Sequence, residues 1–169
     1  KLMSLKSNFL IKLLCEFLVN RWLRDQLGLS FVKSAATGGA ALGPDTFKFF
    51  VNIGIPLRQL YGQTEQIGAY TIHRKGDIDF DSVGFPFDTV KIDIDKPDEE
   101  GIGEIKVNNK NCMQGYLNIK ENFLSNGWFF TGDAGYINKM GHLVVIDRMS
   151  DLSYTAQNLR YSPQYIENK

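Results

Sequence analysis

Residues 61–65 read Tyr-Gly-Gln-Thr-Glu and combine side chains that could hold a nucleotide. The ring of Tyr61 can stack on a base, and the hydroxyl of Thr64 can donate to a phosphate oxygen. The carboxylate of Glu65 can hold the hard cation that accompanies phosphate. Three short motifs follow in order: Thr-Gly-Asp at 131–133, Asp-Arg at 147–148 and Ser-Pro at 162–163. Together they indicate a nucleotide site more strongly than any one of them.

The elements around this motif are predicted from apolar spacing and turn residues. Residues 2–27 have apolar positions at helical spacing, which indicates an amphipathic helix packed on a sheet, with a membrane-surface helix as the alternative. Strands are expected at 29–35 and 56–61, separated by a glycine-rich turn and a helix at 44–51. This alternation is typical of a parallel α/β layer, whose ligands bind at the carboxyl ends of the strands.

The second half of the chain changes to short β runs after about residue 73. We expect strands at 82–85, 89–94, 103–107, 128–130, 135–138 and 142–146, joined by turns rich in Asp, Asn and Gly. The predicted fold class is therefore α/β, with α+β character over this length. It consists of the end of a helix-flanked parallel sheet followed by a small antiparallel or barrel-like β subdomain.

The composition narrows the choice of partners and compartment. The 169 residues carry 19 basic and 19 acidic side chains, so no net field favours nucleic acid. Charged residues interrupt the first helix too often for a transmembrane segment, although peripheral membrane contact through that helix remains open. The two cysteines, Cys15 and Cys112, do not suggest a disulfide framework, which favours a cytoplasmic protein. His73 and His142 are not at metal-ligand spacing with them.

Seven ordered motifs resemble those of AMP-forming acyl-CoA synthetases, the adenylate-forming superfamily. The motifs are Thr37-Gly38-Gly39-Ala40-Ala41-Leu42, Tyr61-Gly62-Gln63-Thr64-Glu65, Gly103-Glu104-Ile105, Gln114-Gly115-Tyr116, Gly127-Trp128-Phe129-Phe130-Thr131-Gly132-Asp133, Asp147-Arg148-Met149-Ser150-Asp151 and Ser162-Pro163-Gln164-Tyr165-Ile166-Glu167. The Asp-Arg pair and the last motif most resemble long-chain fatty acid:CoA ligases. The resemblance covers roughly residues 34–169, and motifs in a fixed order are far more specific than single matches.

The resemblance implies a two-step reaction that uses ATP, Mg²⁺ and CoA. A fatty acid carboxylate attacks the α-phosphate to give an acyl-adenylate and pyrophosphate, and the thiol of CoA then displaces AMP. In the motif at 61–65, which includes Gly62 and Gln63, the resemblance assigns Tyr61 to adenine, Thr64 to the α-phosphate and Glu65 to Mg²⁺.

Other positions complete the implied AMP site. Gly38, Gly39 and Ala40 match a loop that lies along the adenine, where small side chains allow close backbone approach. Asp133 matches the carboxylate that receives both ribose hydroxyls, and Arg148 matches the arginine that reaches ribose and phosphate.

Plainer interpretations stay open for these residues. Tyr61 could be a core tyrosine at a strand end, and the glycine loop could be a tight turn without a ligand. Glu65 could be a first-turn helix residue favoured by the helix dipole. Asp133 could be an ordinary turn residue, and Arg148 could form a surface ion pair with Asp147 or Asp151.

The implied domain organisation places the C-terminal part of an AMP-binding domain at 1–147, divided into an α/β layer at 1–72 and a β subdomain at 73–147. A hinge follows at 148–151, where Ser150 replaces the Asp or Lys that is usual at the hinge position. Residues 152–169 would begin a mobile C-terminal domain. No glycine occurs between Asp151 and Lys169, and Asn158 aligns with a glycine of the loop associated with the CoA thiol.

Two elements of the family are not found in the sequence, namely the Ser/Thr/Gly-rich phosphate loop and the downstream catalytic lysine. We therefore expect the 169-residue chain to be a fragment that is inactive by itself and that can pair with a second copy through exposed apolar surface. Three functions remain: a fatty acyl-CoA ligase, a ligase that passes its acyl-adenylate to a carrier protein or another acceptor, and a non-catalytic nucleotide-binding module.

Overall fold

The structure is a computed structural model that describes residues 13–40, 42–118, 124–155 and 160–163. Its contacts divide the chain into two compact units. The first contains Lys1–Ala36 and Pro44–Leu57, and the second contains Thr37–Gly43 and Arg58–Lys169. The predicted division into 1–147, 148–151 and 152–169 concerns the family's domains and stays a prediction.

Among its described residues, the first unit contains two helices. Helix α1 comprises a π-helical stretch, Glu16–Asn20, and an α-helical stretch, Arg21–Gln26. Helix α2 is Pro44–Asn52, as predicted, with Pro44 suited to a first helical position and Phe47 fully buried. Arg24 ties the helices together because its guanidinium bonds both the Ile53 carbonyl and the Glu16 carboxylate.

Two expectations for this unit are wrong. Residues 29–34 do not form a strand, because backbone hydrogen bonds hold them against the end of α1. The Leu29 amide donates to the Arg24 carbonyl, and the Val32 amide donates to the Leu29 carbonyl and closes a turn. The strand is only Ala35–Thr37. Leu23 is half-buried, but the other large apolar side chains of residues 13–27 are exposed and not packed on a sheet. They are Leu13, Leu14, Phe17, Leu18, Val19, Trp22 and Leu27. No helix among the described residues has the length and apolar character needed to cross a bilayer.

The strands form three sheets. They are β1 (Ala35–Thr37), β2 (Leu57–Gln63), β3 (Gly68–Ile72), β4 (Phe85–Pro86), β5 (Val90–Asp95), β6 (Gly103–Asn109), β7 (Leu124–Ser125), β8 (Trp128–Ile137), β9 (Leu143–Arg148), β10 (Ser153–Tyr154) and β11 (Arg160–Tyr161). The first sheet has the order β1-β2-β3-β4, with β2, β3 and β4 antiparallel. The second has the order β5-β6-β8-β7 with β9 also paired to β8, all antiparallel, and β10 pairs with β11.

This arrangement confirms the predicted fold class, a small mixed sheet followed by a curled antiparallel sheet. Several strands differ in detail. The runs at 128–130 and 135–138 are one strand, β8, which a bulge between Ala134 and Gly135 bends without interrupting. The run at 82–85 contributes only β4, and β3 was not predicted as a strand.

The core of the second unit lies between its sheets. Tyr70, Val83, Val90, Ile105, Val107 and Leu143 form one buried cluster. The Val83 amide bonds the Leu143 carbonyl, and the Leu143 amide bonds the Gly84 carbonyl. These bonds join the segment before β4 to β9. Because β2 pairs with β3, β8 pairs with β9, and Tyr70 of β3 packs in the same cluster as Leu143 of β9, the core holds the two strand pairs together.

Buried polar side chains lie beside this core. His73, Ser82 and His142 are fully buried, with the Ser82 hydroxyl 3.0 Å from His73 Nε2 and 2.8 Å from His142 Nδ1. The backbone amide of Gln59 donates to His73 Nδ1, and burial lowers the pKa of His73. Both ring nitrogens of His73 and the Nδ1 of His142 are hydrogen-bonded in the core, so we assign both histidines a structural role.

Candidate functional site

The motif at 61–65 starts on β2 and ends in a 3₁₀ turn, Thr64–Gln66, before β3 returns antiparallel to β2. The pairing shifts between Tyr61 and Gly62. Only glycine fits at position 62, because an added Cβ would lie 2.1 Å from the Gly68 carbonyl oxygen and 2.4 Å from Ala69 Cα. The close approach of β3 therefore explains Gly62 without a ligand.

The pairing of β8 with β9 places Asp133 opposite Arg148. Arg148 Nη1 lies 3.1 Å from Asp133 Oδ1 and also donates to the Thr131 carbonyl at 3.2 Å. The Arg148 amide, by contrast, donates to Asp147 Oδ1. Arg148 therefore forms its ion pair with Asp133 on the neighbouring strand, and not with Asp147 or Asp151, the two carboxylates that the sequence suggested.

Two side chains of β2 complete the surroundings of Asp133. The Tyr61 hydroxyl donates to Asp133 Oδ2, and Gln63 Nε2 donates to the same oxygen at 2.9 Å and to the Thr131 carbonyl at 3.0 Å. The structure therefore brings Tyr61, Gln63, Asp133 and Arg148 into one cluster, which we call the Asp133 cluster. A carboxylate has about four lone-pair sites, so three donors leave Asp133 room to accept a further hydrogen bond.

Burial dominates the electrostatics of this cluster. It raises the pKa of Asp133 above its ordinary value, while the Tyr61 hydroxyl and then the Arg148 guanidinium act in the opposite direction. Burial also raises the pKa of Tyr61 well above its usual range, so this hydroxyl stays protonated and acts as a donor. The side chain of Asp133 is only 9% exposed, whereas that of Arg148 is 56% exposed and therefore accessible to a ligand.

The ring of Tyr61 has an unexpected orientation. It packs edge-to-face against Tyr70 with the ring centroids 5.0 Å apart, beside the buried core cluster. This contact resembles the core-tyrosine alternative, and its hydroxyl serves Asp133. Stacking of adenine on Tyr61 stays a prediction.

An open cleft of about 870 Å³ lies beside the Asp133 cluster, wholly in the second unit. Its lining is drawn from β2, β3, β6, β8, β9 and the segments between strands: Gly39, Leu60, Gly62, Gln63, Thr64, Glu65, Gly68, Ala69, Glu104, Tyr116, Phe129, Phe130, Thr131, Gly132 and Arg148. Thr64 and Glu65 thus share one cleft with Arg148, which is the arrangement that the motif order predicts.

Glu65 has a partner that the sequence did not reveal. The Tyr116 hydroxyl donates to Glu65 Oε1 at 2.7 Å. This hydrogen bond, with smaller contributions from a backbone amide and the charge of Arg148, lowers the pKa of Glu65 below its usual value. Glu65 is therefore an ionised carboxylate at the cleft wall.

This carboxylate fits the predicted role in holding Mg²⁺. One oxygen is held by Tyr116, which leaves the second for a cation, and oxygen is the ligand that Mg²⁺ prefers. The described residues contain no group of three or more His, Cys, Asp or Glu side chains that could hold a metal. A cation at Glu65 would then share its coordination with phosphate oxygens and water, as Mg²⁺ commonly does in nucleotide sites.

The glycine loop at 38–40 contributes Gly39 to the cleft. Gly38 lies against β2, where an added Cβ would be 2.3 Å from the Leu60 side chain and 3.1 Å from its carbonyl oxygen. Close packing therefore accounts for Gly38, Gly39 reaches the cleft, and Ala40 is exposed. Ala41 lies outside the described residues.

Three further residues of the family motifs, to which the resemblance assigns no role, lie near the site. Tyr116 bonds Glu65, and Glu104 Oε1 accepts the Gly132 amide at 3.0 Å, which fixes the backbone of β8 next to Asp133. Thr131 donates to the Ile105 carbonyl and accepts the Asp133 amide. Each of the three residues is adjacent to a glycine in its motif, and in the sequence only this adjacency indicates that they could belong to the site.

The segment after Arg148 is joined to β9 through Ser162. The Ser162 hydroxyl donates to Asp147 Oδ2 at 2.6 Å, and both residues are buried. Ser150 donates to Asp151 at the predicted hinge. Asn158 and the residues from Gln164 onward lie outside the described residues.

Comparison with known proteins assigns the chain to a family. The AMP-binding enzyme family matches residues 8–117. The long-chain-fatty-acid–CoA ligase ACSBG2 of Gallus gallus is 32% identical over 159 residues, which cover 92% of this chain and 21% of that protein. The 2-succinylbenzoate–CoA ligase of Staphylococcus epidermidis is 31% identical over 140 residues, covering 78% of this chain and 29% of that protein.

Solved structures give the same assignment. The o-succinylbenzoate CoA synthetase of Bacillus subtilis with its acyl-adenylate intermediate superposes with a TM-score of 0.72 at 28% identity, covering 80% of this chain and 30% of that one. The same enzyme with ATP and magnesium superposes with a TM-score of 0.66 at 30% identity, covering 76% and 29%. The chain spans about a fifth of the length of the first curated relatives it matches. It belongs to the AMP-binding, adenylate-forming enzyme family that includes the acyl-CoA ligases.

Proposed function

We propose that this chain supplies the AMP-binding part of an ATP-dependent long-chain fatty acyl-CoA ligase. The observation that carries the proposal is the Asp133 cluster at the edge of a cleft whose wall holds Thr64 and Glu65. A buried carboxylate beside an exposed guanidinium suits a ribose next to a phosphate.

Each residue has a role that follows from its contacts. Asp133 would accept ribose hydroxyls because it is held rigidly by Tyr61 and Gln63 and retains a free lone pair. Arg148 would turn from Asp133 toward the α-phosphate, since most of its side chain is exposed. Thr64 would donate to that phosphate. Mg²⁺ held by Glu65 would supply positive charge to the phosphate oxygens during transfer.

The nature of the acid is supported by two observations. Four residues around the motif at 61–65 are candidates for lining the acyl site: Gln63, Ile67, Gly68 and Ala69. All but Ile67 line the cleft, and Gly68 and Ala69 leave space because they are small. The relatives from Gallus gallus, Xenopus laevis and Drosophila melanogaster, at 31–34% identity, are named long-chain-fatty-acid–CoA ligases. We propose a long-chain fatty acid and CoA as substrates, in the cytoplasm.

A second candidate is a ligase that hands its acyl-adenylate to a carrier protein or another acceptor. It is favoured by the absence of glycine between Asp151 and Lys169, where the acyl-CoA synthetases have a glycine-containing loop near the thiol. The protein encoded by the complete gene, given palmitate and ATP, would release pyrophosphate in either case. Transfer to CoA supports the first candidate, and transfer only to a phosphopantetheinyl carrier supports the second.

Nucleotide binding can be tested on the 169-residue chain. Calorimetric titration with AMP should show saturable binding that Asp133→Asn weakens about tenfold or more, the scale of one charge-assisted hydrogen bond. Asp45→Asn makes the same chemical change at an exposed side chain and should leave binding unchanged. Equal affinity in wild type and Asp133→Asn would contradict the proposed site. We expect no ATP–pyrophosphate exchange from this chain alone, and measurable exchange would overturn that expectation.

A further inference from the structure

The turn that carries Thr64 and Glu65 is held by a second segment of the chain, residues 109–116, which follows β6. The Met113 amide donates to the Glu65 carbonyl at 2.9 Å. Gln66, which is 2% exposed, donates through Nε2 to Cys112 Sγ at 3.1 Å, and Asn109 Nδ2 donates to the Gln66 carbonyl at 3.4 Å. Two of these contacts fix the backbone of the turn to this segment, and the contact with Cys112 fixes the side chain of Gln66.

The fourth contact acts on the side chain of Glu65, which none of the other three touches. The Tyr116 hydroxyl bonds one carboxylate oxygen of Glu65 at 2.7 Å, although the two residues are 51 positions apart in sequence. Both side chains line the cleft. Because the other three contacts already secure the turn, this bond is not needed to keep the segment in place.

We propose that Tyr116 is a positioning residue, whose hydroxyl holds one oxygen of the Glu65 carboxylate so that the second oxygen is available to the divalent cation that accompanies the nucleotide. The inference rests on the proposed function and adds a residue to it. Its physical basis is preorganisation: a partly exposed glutamate samples several rotamers, and a ligand that selects one of them binds more weakly than if the rotamer were already fixed.

The alternative is that Tyr116 only anchors its segment. In that case, loss of the hydroxyl would loosen the whole turn and weaken every ligand of the cleft alike. A positioning role predicts a selective effect, in which the metal–nucleotide complex loses affinity while the metal-free nucleotide does not. Tyr116→Phe separates the two accounts, since it keeps a ring that is already 47% exposed and removes only the hydroxyl.

The test uses the 169-residue chain and two probes, AMP in the presence of EDTA and Mn²⁺-ATP. Calorimetry gives the affinity for AMP, and water-proton relaxation gives the affinity for Mn²⁺-ATP. Tyr116→Phe should weaken Mn²⁺-ATP about 3- to 10-fold, the range expected from a lost rotamer restraint, and change AMP less than twofold. Glu65→Gln should weaken Mn²⁺-ATP at least as much. Tyr154→Phe, a hydroxyl removed from a similarly exposed tyrosine, should change neither affinity.

Three results would overturn the inference. Equal weakening of both probes by Tyr116→Phe would show that Tyr116 is only an anchor. An unchanged Mn²⁺-ATP affinity in Tyr116→Phe or in Glu65→Gln would show that the contact does not serve the cation. If the wild-type chain binds neither AMP nor Mn²⁺-ATP, the proposed function itself fails and the inference fails with it. Binding of AMP by wild type separates the first two results from the third.

Discussion

The hydrogen bond between Tyr61 and Asp133 offers the most direct test of how this site is stabilised. Tyr61→Phe removes the hydroxyl that donates to Asp133 Oδ2 and keeps the ring that packs edge-to-face against Tyr70. The aromatic packing should survive, so the change isolates one donor to a buried carboxylate.

The magnitude follows from the charge and burial of the acceptor. A hydrogen bond to a charged group contributes about 1.5–3 kcal/mol, and a buried group left with fewer partners adds to the loss. Gln63 and Arg148 still bond Asp133 in the variant, which favours the lower half of that range. For a chain of this size each kcal/mol shifts Tm by about 2–4 °C, so we expect a decrease of about 3–9 °C.

The stability lost in Tyr61→Phe should depend on pH and should be greater at neutral than at acidic pH. Burial raises the folded-state pKa of Asp133 above its unfolded value, and the Tyr61 hydroxyl opposes that shift. Such a group favours the folded state below its unfolded pKa, and this contribution is lost as pH rises through the folded pKa. Tyr61→Phe raises the folded pKa further, so its cost should be largest near neutral pH and smaller in acid, where Asp133 is protonated.

Urea unfolding of wild type and variant at pH 7 and at about pH 4 measures both effects. Tyr154→Phe is the control and should stay within about 0.5 kcal/mol, as expected for a surface change. In an Asp133→Asn background, Tyr61→Phe should cost only about 0.5–1.5 kcal/mol, because the acceptor is then neutral. A cost below about 0.5 kcal/mol at pH 7, or an equal cost at both pH values, would refute the reasoning.

Three further predictions concern the surroundings of the site. Because burial lowers the pKa of His73, the contribution of His73 to the free energy of unfolding should be complete above about pH 6.5 and should decrease as the pH falls toward the folded-state pKa. A free energy of unfolding in urea that does not change from pH 7 to pH 5 would contradict this. Gly62→Ala places a Cβ 2.1 Å from the Gly68 carbonyl oxygen and should cost about 3 kcal/mol or more in thermal unfolding, against about 1–2 for the unobstructed Gly76→Ala. Ser162→Ala removes the 2.6 Å bond to Asp147 and should reduce hydrogen-exchange protection in β11 without affecting β6; equal protection in wild type and variant would argue against this link.

The sequence predicted which residues would meet, but not how they bond. Motif order indicated that Tyr61, Glu65, Asp133 and Arg148 belong to one site, and the structure brings them to one cleft edge. The orientation of the Tyr61 ring was not predictable, because a tyrosine at a strand end can satisfy its hydroxyl on either side of the sheet. The assigned roles in nucleotide binding stay predictions.

The remaining differences have two physical causes. Strand β3 begins with two small residues, Gly68 and Ala69, so the alternation that reveals a half-buried strand is absent, and only pairing with β2 identifies it. The bond between Tyr116 and Glu65 depends on the path of a long connection, which no local pattern encodes. By contrast, α2 was predictable because Pro44 and the apolar spacing act locally.

The tight hairpin between β8 and β9 limits which length changes this protein can tolerate. Its four-residue turn is closed by bonds between Asn138 and His142 and between Gly141 and Asn138, and the register that it sets carries down the strands to the pair of Asp133 and Arg148. A shift of one residue would turn every later β9 side chain to the opposite face. Surface turns usually accept insertions, yet one added residue at this remote turn should separate Arg148 from Asp133 as effectively as mutating either of them.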